Sequence, residues 1–212
     1  MKAKIPKINI RKLKLSDAIS FCRLATDEEL RNNLPYPDRS KYRDDTLKYV
    51  QAYIKIANKR RRDKKEYQFG IEDNKTKRAI GFMGLLKLDW KNKKAEVGYW
   101  IGKKYRGQGL VKEALRLLLD FAFKELKLKK VYAEVNSLNI SSYKLLEKCG
   151  FKLIKRIKKD HKINDKWTDQ IFYQTAVRPS FKLGKNAFHH FSKLLCALGA
   201  SFLDHFLYTT PQ

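Results

Sequence analysis

Acidic side chains are scarce in this chain. Asp and Glu total 22 against 48 Lys and Arg over 212 residues, a formal charge of +26. No long acidic run is present, so no ready groove for a polycation is written into the sequence. Histidine is rare as well. The four that occur form no H-E-x-x-H and no Cys/His ligand pairing, so no metal site is expected. The cysteines, Cys22, Cys149 and Cys196, are odd in number and widely spaced, which argues against a disulfide framework and predicts reduced thiols in a cytoplasmic protein. No apolar run reaches 18 residues, so no spanning helix is expected. Met1 to Lys14 is basic but has no apolar stretch, which is not the pattern of a secretory signal.

The excess of cations favours polyanionic partners: ribosomes, RNA or the phosphates of CoA. It also has a bland source. There are 35 lysines against 13 arginines, and Asn, Ile and Tyr are plentiful, as an AT-rich genome would choose. Charge alone therefore assigns no nucleic-acid partner.

The informative stretch is Val97 to Val111, V-G-Y-W-I-G-K-K-Y-R-G-Q-G-L-V. Its first part reads as a strand, with Val97, Tyr99 and Ile101 on one face and Gly98 and Trp100 on the other. Gly102, Gly107 and Gly109 follow, with basic residues between them. From Leu110 the period becomes helical: Val111, Ala114, Leu115, Leu118, Phe121 and Ala122 recur, opposite a polar stripe of Lys112, Arg116, Asp120 and Lys124. A glycine loop leading into a helix lets backbone N–H groups close on an anion at the helix's positive end. An ordinary strand-to-helix turn has the same outline. A dinucleotide fingerprint is excluded because Lys112 stands where its last glycine is needed, and a P-loop because no Gly-Lys-Ser/Thr occurs.

Taken in order, Ile8 and Ile10 alternate with Asn9 and Arg11 and predict a first strand. Ser16-Asp17 predicts the cap of a short helix to about Thr26. Residues 32–37 read as a turn-rich loop. A second helix is predicted from about Tyr42 to Arg60, with Leu47, Val50, Tyr53, Ile54 and Ala57 inward. Lys59 to Lys65 reads as a solvated charge run. Strands are expected at Tyr67–Ile71, Ala79–Leu88 and Ala95–Ile101, as an antiparallel meander. After the Leu110–Leu126 helix come a strand at Lys130–Val135 and a helix at Asn139–Lys148, with Gly150 at its C′ position. Two last strands, Phe151–Ile157 and Ile171–Val177, are joined through Asp160 to Asp169. The order β-α-α-β-β-β-α-β-α-β-β is mixed α/β, with about seven strands. Residues 178–212 carry three of the four histidines and one acid, Asp204. There Phe188, Phe191, Leu195, Leu198, Phe202, Phe206 and Leu207 approximate one helical face. A docking or homodimer helix, membrane-surface attachment and an accidental extension are all open readings of this tail.

Arg106-x-x-Gly109-x-Val111 resembles the pyrophosphate loop of the GNAT superfamily of N-acetyltransferases, R/Q-x-x-G-x-G/A, with Val111 in place of a small residue. Asn139-Ile-Ser-Ser142-Tyr-Lys-Leu-Leu-Glu147-Lys148-Cys-Gly150-Phe151 is similar to its N-x-x-S-x-x-L-x-E-K-x-G-F segment. Ile8 to Asp17 and Glu96 to Ile101 resemble its ribosomal-protein (Rim-type) branch. The resemblance spans about residues 5 to 177, so residues 1–177 are expected to be the acetyltransferase domain and 178–212 an extension.

The resemblance implies an acetyl-CoA cosubstrate, a primary-amine acceptor and direct transfer without a covalent enzyme intermediate. It implies a gap between the strand ending at Ile101 and the strand at Lys130. The cofactor-binding set it implies is Trp100, Ile101, Arg106, Gly107, Gln108, Gly109, Leu110, Val111 and Asn139, with Lys104 a further phosphate candidate. Arg106 and Lys104 equally fit solvated surface charge, and Asn139 equally fits an N-cap. Glu96 is the candidate base, with Glu134 second; Glu96 equally fits a structural carboxylate paired with a lysine. Many family members place a tyrosine where Leu146 stands, so Ser142 is the carried-over candidate for protonating the leaving thiolate. A helix-capping role fits Ser142 as well. The acceptor expected is a protein N-terminal α-amine. A small-molecule amine, or a binding module without turnover, is the alternative.

Overall fold

In the computed structural model, residues 7–26, 34, 41, 45–163 and 166–176 are described. All of them belong to a compact unit, Met1–Val177. The tail and, apart from Leu34, the loop expected at residues 32–37 lie outside the described residues.

Seven strands form one sheet in the order β1-β2-β3-β4-β5-β7-β6. They are β1 (Ile8–Lys12), β2 (Tyr67–Asp73), β3 (Ala79–Asp89), β4 (Lys94–Ile101), β5 (Lys130–Asn136), β6 (Lys152–Ile163) and β7 (Lys166–Ala176). Every neighbouring pair is antiparallel except β4 and β5, which run parallel. The described helices are α1 (Asp17–Leu24), α2 (Thr46–Arg62), α3 (Leu110–Asp120) and α4 (Ile140–Lys148). The element order and the meander β2-β3-β4 are as the alternating pattern predicts.

Alternation sorts the sheet's two faces. On one, Phe82 of β3 and Trp100 of β4 stack with centroids 5.5 Å apart. Phe21 of α1 meets the Trp100 ring edge-on at 6.1 Å. Tyr49, Val50, Tyr53, Ile54 and Ala57 of α2 complete this cluster, all essentially inaccessible to solvent. Each such side chain contributes about 1.5–3 kcal/mol by leaving water. On the opposite face, Phe121 packs edge-on against Tyr67 and Phe69 of β2, at 5.4 and 5.2 Å. Phe121 opens one π-helical turn, Phe121–Glu125, that continues α3. The helix predicted to run to Leu126 is therefore α-helical only to Asp120.

Several local expectations are corrected. Ser16 makes no capping bond; Asp17, buried, instead receives Arg11 and the Lys14 N–H. The cap of α2 is Asp45, whose Oδ1 accepts from Lys48 N at 2.9 Å, so the helix starts at Thr46. Leu47, in its first turn, is exposed rather than inward. The charge run is not all solvated. Arg61 is buried, with its guanidinium 4.4 Å from the Phe69 centroid and its Nη1 donating to Gln68 O. Burial lowers its pKa to about 10. The flat guanidinium can enter because aromatic faces and a carbonyl replace its hydration. Arg60 meanwhile pairs with Glu66 at 2.7 Å. The last two strands are longer than expected, because the polar residues predicted as their connection continue the β6–β7 ladder as far as Ile163 and Lys166. Among the described residues β6 is a sheet edge, and its residues 152–160 are almost wholly exposed.

Candidate active site

The site is built where β4 and β5 part. Their parallel pairing covers Lys94–Lys130, Ala95–Val131 and Glu96–Tyr132 and then stops. β4 runs on to Ile101 and β5 to Asn136, each still paired on its other side, to β3 and β7. The sheet is therefore forked between residues 97–101 and 133–136. Backbone groups that a closed ladder would have consumed line that gap.

At the open end of β4 the chain turns through Gly102 and a single 3₁₀ turn, Lys103–Tyr105, into the glycine loop. Gly107 and Gly109 have φ of +75° and +76°, angles that favour glycine. A Cβ at either would meet nothing within 4 Å, so the backbone angle alone demands glycine and the space above the loop is open. Gly109 is the N-cap of α3, and no side chain caps it. The first N–H groups of a helix have no intrahelical acceptors, and here they face a loop without bulk. This is a cradle suited to an anion.

The loop's side chains mostly brace the loop itself. Arg106 Nε donates to Ile101 O at 3.2 Å, and Gln108 Nε2 donates to Lys104 O at 2.9 Å. Lys104 Nζ lies 5.1 Å from the Tyr105 ring centroid. Leu110 is buried beneath the helix and Val111 half-buried. The Trp100 ring belongs to the hydrophobic core, so what that residue offers the fork is backbone.

On the face opposite Trp100, the fork is bridged. Tyr99 of β4 places its hydroxyl 2.8 Å from Ser142 Oγ of α4. Burial pushes the Tyr99 phenol up to about 12, with Ser142 opposing the shift and Cys149 adding to it. Tyr99 therefore stays a neutral phenol across the physiological range. Asn139 is the N-cap of α4: its Oδ1 accepts from Ser142 N at 3.2 Å and from Ser141 Oγ at 3.1 Å. That is the capping role the sequence left open for it. Leu146, where a tyrosine is common, is fully buried and supplies no polar atom.

Glu96 sits on the other face, at the last paired step of the fork. Its side chain is mostly buried and lies 2.7 Å from Lys87 Nζ. Glu134, two residues into the gap on β5, lies 3.7 Å from the same ammonium. Glu96 draws the Lys87 pKa upward, chiefly through this hydrogen bond. The nearby Asp89 is engaged by Asn92 and Lys94 in its own hairpin. Candidate acid and candidate base thus approach the fork from opposite faces of the sheet.

Two of these residues were not singled out from sequence. Tyr99 reads as one more alternating core position, and only the fork makes its hydroxyl useful. Lys87 is one lysine among many, and nothing in its neighbours marks it.

A forked mixed sheet with a glycine loop at the N-terminus of the following helix defines the N-acetyltransferase class. A family model described as the acetyltransferase (GNAT) domain matches residues 7–152. The chain is 31% identical over 148 residues to the uncharacterized N-acetyltransferase p20 of Bacillus licheniformis, covering 68% of this chain and 79% of that protein. It is 26% identical to the ribosomal-protein-serine acetyltransferase of Escherichia coli, over 70% of this chain and 79% of that one. It is 29% identical to the spermidine N(1)-acetyltransferase of Vibrio cholerae, over 54% and 65% respectively. The chain belongs to the GNAT superfamily of acetyltransferases. It is an enzyme that uses acetyl-CoA to acetylate an amine. No described helix is long and apolar enough to cross a membrane.

Proposed function

We propose that the acceptor is a peptide N-terminal α-amine, as in the ribosomal-protein branch, with Glu96 as base and Ser142 as acid. Acetyl-CoA supplies an activated acetyl group. The loop from Arg106 to Val111 fits its pyrophosphate through backbone N–H groups, given the uncapped α3 N-terminus and the open space over Gly107 and Gly109. Backbone N–H near Ile101 fits the polarised carbonyl of the thioester. Ser142 holds a proton for the departing sulfur. Tyr99 orients that hydroxyl by the 2.8 Å hydrogen bond, and this contact across the fork carries the assignment. Glu96, or Glu134 beside it, receives the proton of the attacking amine.

Two arguments favour the α-amine. Its pKa is about 8 against about 10.4 for a lysine side chain, so at pH 7 it is neutral roughly 10% of the time and lysine below about 0.1%. Presenting neutral lysine therefore costs about 3 kcal/mol more. The second argument is local. Glu96 and Glu134 meet at one ammonium, that of Lys87, which suits a single charge better than a polyamine. The +26 charge would also draw the enzyme toward ribosomal RNA, where such N-termini reside.

A polyamine acceptor is the second reading, favoured by the similarity to the spermidine enzyme. CoA release should be followed with free N-terminal peptides, the same peptides blocked but containing lysine, and spermidine. Preference for free N-termini supports the proposal. Activity on spermidine with none on any peptide overturns it.

A further inference from the structure

The β3–β4 register is regular from Gly81–Ile101 to Leu86–Glu96 and resumes at Asp89–Lys94. Between these pairs, Lys87 and Leu88 face the single residue Ala95, which is a β-bulge. Lys87 takes φ of +45° there, a strained angle for a residue with a Cβ. Strict alternation would send Lys87 to the face of Leu85 and Val97, both buried. The bulge instead turns it to the face of Glu96. Its Nζ then sits against both carboxylates, one from each arm of the fork, at 2.7 and 3.7 Å. Its side chain is nonetheless 62% exposed, so nothing packs it in place.

We propose that Lys87 is a built-in occupant of the acceptor-amine position, an internal ammonium that the incoming substrate must displace. The inference rests on the acetyltransferase reading of this site and deepens it. An acceptor amine arrives at neutral pH mostly as an ammonium, and Glu96 and Glu134 are the groups that receive it. Lys87 offers them the same chemistry on a tether. While it stays, Glu96 is engaged and the position is filled. An amine that brings further contacts with the site displaces it; a bare amine competes poorly. Lys87 thereby sets a threshold of affinity and acts as a specificity-determining residue. Its exposed stem makes departure cheap, because an ion pair with so much solvent access is weakly held.

A structural clamp between β4 and β5 would use the same contacts, and the two roles separate experimentally. KM and kcat are measured for wild type, Lys87→Met and Lys87→Arg, using a short peptide with a free N-terminus and spermidine. Calorimetry gives acetyl-CoA affinity and the affinity of each amine. Lys87→Met keeps most of the stem and removes the charge. It should lower the amine KM about two- to fivefold, the range an exposed ion pair can contribute, without lowering kcat and without altering acetyl-CoA affinity. Lys87→Arg, still cationic, should retain a KM near wild type. The amine arms show whether the gain belongs to the peptide or the polyamine. An unchanged or raised amine KM overturns the inference, as does weaker acetyl-CoA binding with a lower melting temperature. If neither amine is turned over, tighter calorimetric binding of an amine by Lys87→Met still supports it and unchanged binding sinks it. Failure of the wild type to bind acetyl-CoA counts against the acetyltransferase reading instead.

Discussion

The Tyr99–Ser142 contact makes the sharpest prediction. A general acid contributes about 10²–10⁴ in rate, so Ser142→Ala should lower kcat by about 10² or more if its hydroxyl protonates the leaving sulfur. Because that charge develops only in the transition state, KM for acetyl-CoA should move little. Tyr99→Phe removes one neutral hydrogen bond of 2.8 Å, whose net worth is about 1 kcal/mol. If that bond serves to orient Ser142, kcat should fall about fivefold. Tyr99 acts through Ser142, so the double variant should be no slower than Ser142→Ala alone. CoA release under saturating peptide and acetyl-CoA measures all three. A pH control accompanies it. Burial raises the Tyr99 pKa from about 10 to about 12, so the phenol should not shape the rate below about pH 11. The same shift affects stability. The folded state holds this proton more tightly than the unfolded chain, so stability is intact below pH 10 and is lost as pH rises toward 12. Two units correspond to about 3 kcal/mol, and Tyr99→Phe should remove that part of the alkaline loss. Ser142 is not the acid if Ser142→Ala keeps kcat within threefold, and Tyr99 does not act through it if the double variant multiplies the two single effects.

Gly109→Val should weaken acetyl-CoA binding more than tenfold by calorimetry; a Cβ there meets no protein atom within 4 Å, but the left-handed angle should also cost about 1–2 kcal/mol of stability. Unchanged affinity would remove the loop from the site. Glu96→Gln should lower kcat by about 10² or more if Glu96 takes the amine's proton, and an unchanged kcat would place the base elsewhere. A chain ending at Val177 should fold and bind acetyl-CoA; if that truncation is insoluble, residues 178–212 belong to the core or to an obligate interface. Lys64 follows the C-cap of α2 with φ of +53° and donates its N–H to Arg61 O, a position where glycine is favoured. Lys64→Gly should raise unfolding free energy by about 0.5–1 kcal/mol in urea, the relief of left-handed strain outweighing glycine's added chain entropy. A less stable variant would refute that balance.

The sheet was legible because its strands alternate apolar and polar residues over long stretches, and the loop because Gly107 and Gly109 stand where positive φ is needed. Asn139 was legible as a cap, and structure agrees with that half of its reading. What escaped was geometry that pattern does not encode. Alternation places Tyr99 on a face but cannot say that the sheet parts beside it. The bulge at Lys87 reverses a face without any glycine or proline to announce it. Arg61 was hidden in a charge run, because its burial depends on aromatic rings from β2 that the helix meets only after folding. Leu47 fits the helical period but falls in the first turn, beyond the reach of the sheet.

The position of β6 has a colloidal consequence. An outer strand exposes a row of unsatisfied peptide groups, to which another copy could add a strand of its own. Half of this one is cationic: Lys152, Lys155, Arg156, Lys158, Lys159 and Lys162 among twelve residues. Leu153 and Ile154, both exposed, would otherwise make it adhesive. Two such strands laid side by side would set a net five positive charges, six cations less Asp160, against five. That repulsion acts across about 8 Å in physiological saline but only about 3 Å at 1 M salt. The protein should therefore stay dispersed in dilute buffer and begin to self-associate as salt is added, the reverse of what holds for assemblies joined by ion pairs.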